Sequence, residues 1–190
     1  ESQLAPELRE AILMSIRHVR AYQEHIKPRD PGPLIVDGAE LGLRFTPVDS
    51  VGLTVPGGVA ALFSTLIMLA VPALIAGVPA DRISVANPPP TRSARQIAGE
   101  VSPIVLGTAK LLGIERVYRI GGAQAVAALA FGTQRVQSVE TIAGPGNVFG
   151  QLAKLAVAGQ CGIDGCVYGP SEIVVIADES ADPSLVAADL

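Results

Sequence analysis

Three glycine-rich turns hold the residues whose types and spacing suit ligand chemistry: Pro56-Gly-Gly58, Gly121-Gly122 and Gly144-Pro-Gly-Asn147. Each lies between an extended segment and an expected helix. A strand ending in such a turn delivers the chain to a helix N-terminus, where unpaired amides and the positive dipole end suit a phosphate. Glycine is needed there because a side chain would hold a ligand off the backbone. Paired glycines alone are a weak signal, since a tight turn also requires them. Gly144-Pro-Gly-Asn147 is stronger, because Asn147 places a donor and an acceptor at a helix start, although an N-cap needs no ligand. Gln124, two residues past Gly122, reads either as a solvated first-turn residue or as a group facing the same cleft. None of the turns has the usual dinucleotide spacing: Gly144-x-Gly146 is followed by Gly150, and no acidic residue ends a second strand in register.

Nucleophile chemistry finds less support. Ser171, in Gly169-Pro-Ser-Glu172, sits in a turn entering an expected strand. The only histidines, His18 and His25, belong to the first helix region, so a Ser-His-Asp arrangement is not indicated and Ser171 reads as a turn residue or a polar contact to a small ligand. Cys161 and Cys166 are five residues apart with no histidine nearby. Two thiols cannot supply the about four ligands of a structural zinc site, and they read as free thiols of a cytoplasmic protein.

The elements that must position these turns follow from hydrophobic pattern. Leu8, Ile12, Ile16 and Val19 recur at helical spacing within Leu4 to His25, and the proline-rich stretch from Lys27 to Pro33 ends that helix. Extended segments are expected at Leu41 to Val48 and Val51 to Val55. A long apolar helix follows from Leu62 to Gly77, then a strand from Arg82 to Ala86 and a helix from about Ser93 to Leu112. Further on come a strand from Arg116 to Ile120, a helix from Ala123 to Phe131, a strand from Val139 to Ala143 and a helix to about Ala158. Glu172 to Ala177 is the last expected strand, and Pro183 to Leu190 begins a helix. Strands alternating with helices of this length point to an α/β fold with a Rossmann-like parallel sheet covered on both faces, preceded by an N-terminal helix. The expected organisation is 1–53 as that helix and the start of a first Rossmann-like domain, 54–159 as an inserted Rossmann-like domain, and 160–190 as the return to the first.

Composition excludes some partners. The net charge is −4 with no basic block, so nothing resembles a nucleic-acid footprint, and an anionic cofactor must be held by local amides. Val59 to Val78 is about long enough to span a bilayer. However, Pro72 interrupts it, glycines and Pro79 bound it, and no Lys or Arg closely flanks either end. It reads as a buried helix of a protein with no membrane partner.

Taken together, the segments resemble the histidinol dehydrogenase family. The resemblance is carried by Val55-Pro-Gly-Gly58, Leu62-Phe-Ser-Thr65, Gly121-Gly-Ala-Gln-Ala125, Gly144-Pro-Gly-Asn147, Ile163-Asp164, Gly169-Pro-Ser-Glu172 and Ala187-Ala-Asp-Leu190, in family order from about Leu41 onward. It implies a fold related to aldehyde dehydrogenases, and oxidation of L-histidinol through its aldehyde to L-histidine with two NAD, in a cytoplasmic homodimer. Gln124 and Asn147 match positions that contact NAD in the family, and Ser171 matches a substrate contact. The third NAD-contacting position is a tyrosine in the family and is Thr54 here, which leaves a hydroxyl in place of an aromatic surface. The stretch Gly165-Cys-Val-Tyr168 is one residue longer than the family pattern. The family's zinc ligands and its acid–base pair match nothing in these 190 residues and are expected beyond Leu190. The chain therefore reads as a fragment, inactive alone. The alternative is a degenerate, non-catalytic nucleotide-binding module.

Overall fold

The computed structural model describes residues 4–57, 61–89, 100–164 and 174–189. Helix α1 (Pro6–Ile26) buries Ile12 and Ile16, four residues apart on one face, and gives way at Lys27-Pro28. The Lys27 ammonium then donates to the Ile75 carbonyl at 2.7 Å and ties the end of α1 to the helix it packs on. Strands β1 (Leu34–Val36) and β2 (Ala39–Leu41) form an antiparallel hairpin across Asp37-Gly38. Both turn residues have positive φ, 49° and 83°, the geometry that an Asp-Gly pair supplies in a two-residue hairpin turn. The expected extended segment from Leu41 to Val48 is thus corrected: the strand ends at Leu41, where its partner β1 runs out, and residues 42–48 form no strand.

The rest is built on five parallel strands: β3 (Val51–Thr54), β4 (Ile83–Ala86), β5 (Arg116–Tyr118), β6 (Thr141–Ala143) and β7 (Gly162–Ile163). Their order across the sheet is β5-β4-β3-β6-β7, so the chain winds outward from β3 in one direction, returns, and winds outward in the other. Helices α2 (Phe63–Ala76) and α3 (Pro103–Leu111) serve the first direction, and α4 (Gly122–Phe131) and α5 (Val148–Val157) the second. The sheet consequently has two cores. Leu53, Ile83 and Val85 pack with Leu66, Ile67 and Val105 and with α1 on one face. Ile142 and Ala86 pack with Val126, Leu129 and Val157 on the other. This is the α/β architecture expected, with a parallel sheet flanked by helices and an N-terminal helix laid on one of them.

Helix α2 runs through Pro72 and closes on Gly77, whose φ of 115° lets its amide reach back to Ala73 and Leu74. It is apolar because it is covered by α1, α3 and the sheet. Among the described residues no helix is long and apolar enough to cross a membrane. The expected helix from Ser93 begins, within the described residues, at Pro103; residues 93–99 lie outside them. One expectation at the C-terminal end, the strand from Glu172 to Ala177, needs correction, its residues 172 and 173 lying outside the described ones. Residues 174–178 are not a strand, and Val174 and Ile176 lie 85 % and 95 % exposed. Alternating apolar residues become a strand only when a neighbouring strand takes up their amides, and none is beside them among the described residues. The strand that borders β6 on the side away from β3 is β7, made by Gly162-Ile163. After it, α6 (Pro183–Asp189) starts at Asp182, whose carboxylate accepts from the Ser184 amide and hydroxyl at 2.8 and 2.6 Å.

Gly52, in the middle of the central strand, sets how closely α4 approaches the sheet. A Cβ there would lie 3.0 Å from a Leu129 methyl and 3.0 Å from a Val139 methyl. Gly52→Ala should destabilise the chain by about 1–3 kcal/mol through overpacking, and Leu129→Ala by about 2–5 kcal/mol through the cavity it leaves. The double variant should be more stable than the sum of the two losses, because the new methyl enters the space Leu129 vacates. Urea unfolding of all four chains measures this coupling, and strict additivity would show that the two side chains do not meet.

Candidate functional site

At the carboxyl ends of the strands, where the winding reverses between β3 and β6, lies a cleft of ≈ 340 Å³. In open parallel sheets this reversal leaves a crevice because the two adjacent strands send their helices to opposite faces. Thr54 and Val55 enter from the end of β3, Pro145 to Asn147 from the end of β6, and Gly121-Gly122 from the turn before α4. Five lining residues are glycines: Gly57, Gly121, Gly122, Gly146 and Gly150. Much of the wall is therefore bare backbone, and α4 and α5 both begin at it. Helix α4 starts at Gly121 with no side-chain cap, which leaves its first amides to solvent or a ligand. Helix α5 is capped by Asn147, whose Oδ1 accepts from the Gly150 amide at 3.1 Å.

The loops forming the cleft are held by bonds that pattern alone does not reveal. Asn87, just past β4, is 1 % exposed; its side-chain amide donates to the carbonyls of Val55 at 2.9 Å and Pro56 at 3.2 Å. It fixes the turn after β3 from the neighbouring strand. The Thr54 hydroxyl lies within donating distance of the Pro145 carbonyl, at 3.1 Å, and of the Ala143 carbonyl, at 3.3 Å. Its proton thus binds the turns after β3 and β6 together, and only its lone pairs remain for a ligand.

Among the described residues, the one charged side chain lining the cleft is that of Lys154, which is 1 % exposed. Its ammonium donates to the Gly144 carbonyl at 2.5 Å and to one Asp164 carboxylate oxygen at 2.6 Å. The other Asp164 oxygen accepts from the Gly144 amide at 2.6 Å. Gly144 itself has a φ of 117°, and a Cβ on it would collide with the Thr54 carbonyl. Sequence reasoning missed Lys154, Asp164 and Asn87 as parts of the site. One signal existed: Lys154 falls in the buried row Gly150, Lys154, Val157, where a lysine must find a partner.

The structure brings Thr54 and Asn147 to the same cleft, on the neighbouring turns after β3 and β6. Gln124 is exposed in the first turn of α4, its Oε1 3.1 Å from where a Cβ on Gly122 would stand, at the rim rather than in the wall. Ser171 and Cys166 lie outside the described residues. Cys161 is buried on the α4/α5 face, its thiol 3.3 Å from the carbonyls of Val139 and Glu140. Burial pushes that thiol above its ordinary value, against a smaller downward pull from the Ile142 backbone. Among the described residues, no three His, Cys, Asp or Glu side chains come together as a metal site would require. The cleft is suited to binding an extended, partly anionic molecule along backbone amides.

The full chain, residues 1–190, matches a family model described as histidinol dehydrogenase. A histidinol dehydrogenase 2 of Nostoc sp. is 45 % identical over 188 residues, covering 99 % of this chain and 41 % of the relative. A histidinol dehydrogenase of Caulobacter vibrioides is 46 % identical over 184 residues, covering 97 % of this chain and 40 % of the relative. Among solved structures, a histidinol dehydrogenase from Elizabethkingia anophelis superposes with a TM-score of 0.80 at 35 % identity, over 99 % of this chain and 42 % of that one. The chain spans about two fifths of the length of the curated relatives it matches.

Two outcomes follow from this geometry. Gly144→Ala should cost about 1–3 kcal/mol in strain at its positive φ, with a further loss from the contact with Thr54, read as a lowered urea midpoint. The Cys161 thiol, buried and protonated, should resist iodoacetamide in the folded chain and react once the chain is unfolded in urea; peptide mass mapping distinguishes the two states.

Proposed function

The chain belongs to the histidinol dehydrogenase family, and we propose that its cleft holds NAD as part of a longer, NAD- and zinc-dependent enzyme that oxidises L-histidinol through L-histidinaldehyde to L-histidine in histidine biosynthesis. The observation that carries this reading is the position of the cleft: at the reversal of a parallel sheet, walled by glycine backbone, with two helix N-termini opening on it. Such a site fits a dinucleotide, because amides and helix dipoles neutralise a pyrophosphate without requiring a positive surface. Bound NAD would supply the oxidant for the alcohol and then the aldehyde.

In this reading Asn147 caps α5 with its oxygen and offers its amide nitrogen to the nucleotide. Gln124 contacts it from the rim, and Thr54 contributes an acceptor while holding the loop at Pro145. Ser171 is assigned to the substrate. The described residues do not make a zinc site, so no step through zinc is assigned to them, and the 190 residues alone are expected to bind nucleotide without turnover. The division into 1–53, 54–159 and 160–190, with the central part as the NAD-binding insertion, belongs to the same proposal, as do a cytoplasmic location and assembly as a homodimer. What supports association is the apolar surface left open: Val148, Phe149, Leu152 and Leu155 on α5 are all more than half exposed.

A second reading, a non-catalytic nucleotide-binding module, is favoured by one residue. Thr54 stands where the family resemblance places an aromatic, and its hydroxyl is engaged with Pro145 and Ala143. Both readings require the cleft to bind NAD. They part on turnover once the chain is supplied with the remainder of a family enzyme: NAD reduction by L-histidinol supports the first.

Calorimetric titration with NAD is expected to show saturable binding at one site per chain, and no heat at millimolar NAD would overturn the assignment. Asn147→Asp separates cap from contact. Aspartate caps helices as well as asparagine, so the melting temperature should hold, while affinity should fall by about tenfold or more from the lost donor and the added negative charge. Unchanged affinity would restrict Asn147 to capping.

A further inference from the structure

The Lys154–Asp164 pair does more than neutralise a buried charge. Between them, the two side chains hold both polar backbone groups of one residue, Gly144: Lys154 takes its carbonyl and Asp164 takes its amide. Gly144 is the hinge at which β6 turns into the loop Pro145-Gly146-Asn147, and that loop forms one wall of the cleft. A peptide unit on each side of a residue at φ 117° is thereby clamped by charge-assisted bonds, which are shorter and stronger than neutral ones. The clamp also spans two elements, since Lys154 belongs to α5 and Asp164 follows β7. It therefore fixes the loop relative to the edge of the sheet as well as to its own helix.

We propose that Lys154 and Asp164 are positioning residues for nucleotide binding: they set the direction in which the Gly144–Asn147 turn presents its amides and the Asn147 side chain to the cleft. The inference rests on the reading of the cleft as a nucleotide site. It is specific about how that site is built, because the lysine lines the cleft yet has its ammonium turned onto protein acceptors. The ligand meets the turn, and the pair acts through the turn.

A purely structural pair would behave differently from a positioning one. Removing Asp164 strands the Lys154 ammonium in a buried place, and removing Lys154 takes the charged donor from the Gly144 carbonyl, whereas replacing both by apolar side chains of similar size commonly restores stability. Three variants of the full chain are therefore needed: Lys154→Met, Asp164→Leu and the double K154M/D164L. The single variants should melt at lower temperature, and the double variant should recover most of the loss. If the pair positions the turn, the double variant should still bind NAD about tenfold or more weakly than the parent chain, since the bonds to Gly144 are gone. Its Gly144 amide should also exchange with deuterium faster, while the β3 and β4 amides remain protected as in the parent. Recovery of NAD affinity together with stability would overturn the proposal, as would a Gly144 amide protected as in the parent. If the parent chain itself binds no NAD, the cofactor reading fails; the exchange at Gly144 in the double variant then decides alone whether the pair holds the turn.

Discussion

Gly144 is the residue on which the site depends. Its φ of 117° allows β6 to stop and α5 to begin within a few residues, and its missing side chain lets the chain pass against the Thr54 carbonyl. A residue in that conformation needs its polar groups held, because an unpaired backbone group away from water costs about as much as a lost hydrogen bond. Lys154 and Asp164 meet that requirement with charged partners. The Lys154 charge, which is buried, is offset there by the Asp164 carboxylate. The Asp164 side chain keeps 28 % exposure, so water shares in stabilising it, and the pair is less dependent on protein contacts than a fully enclosed one.

The same logic of mutual restraint extends across the cleft. Asn87 reaches from β4 to the turn after β3, Thr54 reaches from β3 to the turn after β6, and the Lys154–Asp164 pair joins α5 to the end of β7. The turns after β3 and β6 are thus each tied to a neighbouring element by a side chain, although they are rich in glycine. Small residues let backbone approach backbone, and the side-chain bonds return the rigidity that glycine removes.

Much of the fold was legible because hydrophobic period translates directly into element type. The spacing of Ile12 and Ile16, the apolar stretch of α2, and the short strands before each glycine turn all fell where pattern placed them, and family likeness rested on the turns between them. Errors arose where pairing rather than pattern decides. Val174 and Ile176 alternate as a strand would, but a strand exists only with a partner, and β7 formed instead from Gly162-Ile163, which have little pattern of their own. The hairpin at Asp37-Gly38 carried a recognisable turn signal that the apolar reading of the next segment overlooked.

For the site, the sequence by itself determined which turns could accept a ligand, since glycine, proline and asparagine restrict local backbone geometry wherever they occur. Asn147 as the start of α5 is such a local consequence. Tertiary structure alone decided that the turns after β3 and β6 share one crevice, because strand order depends on which faces the helices cover. It alone decided that Thr54 would bond the opposite loop, that Asn87 would reach back across a strand, and that Lys154 would meet Asp164 on either side of Gly144. Those contacts join residues from ten to ninety-one positions apart. Nothing in local propensity encodes them, because they exist only once the sheet has brought distant chain segments within bonding distance.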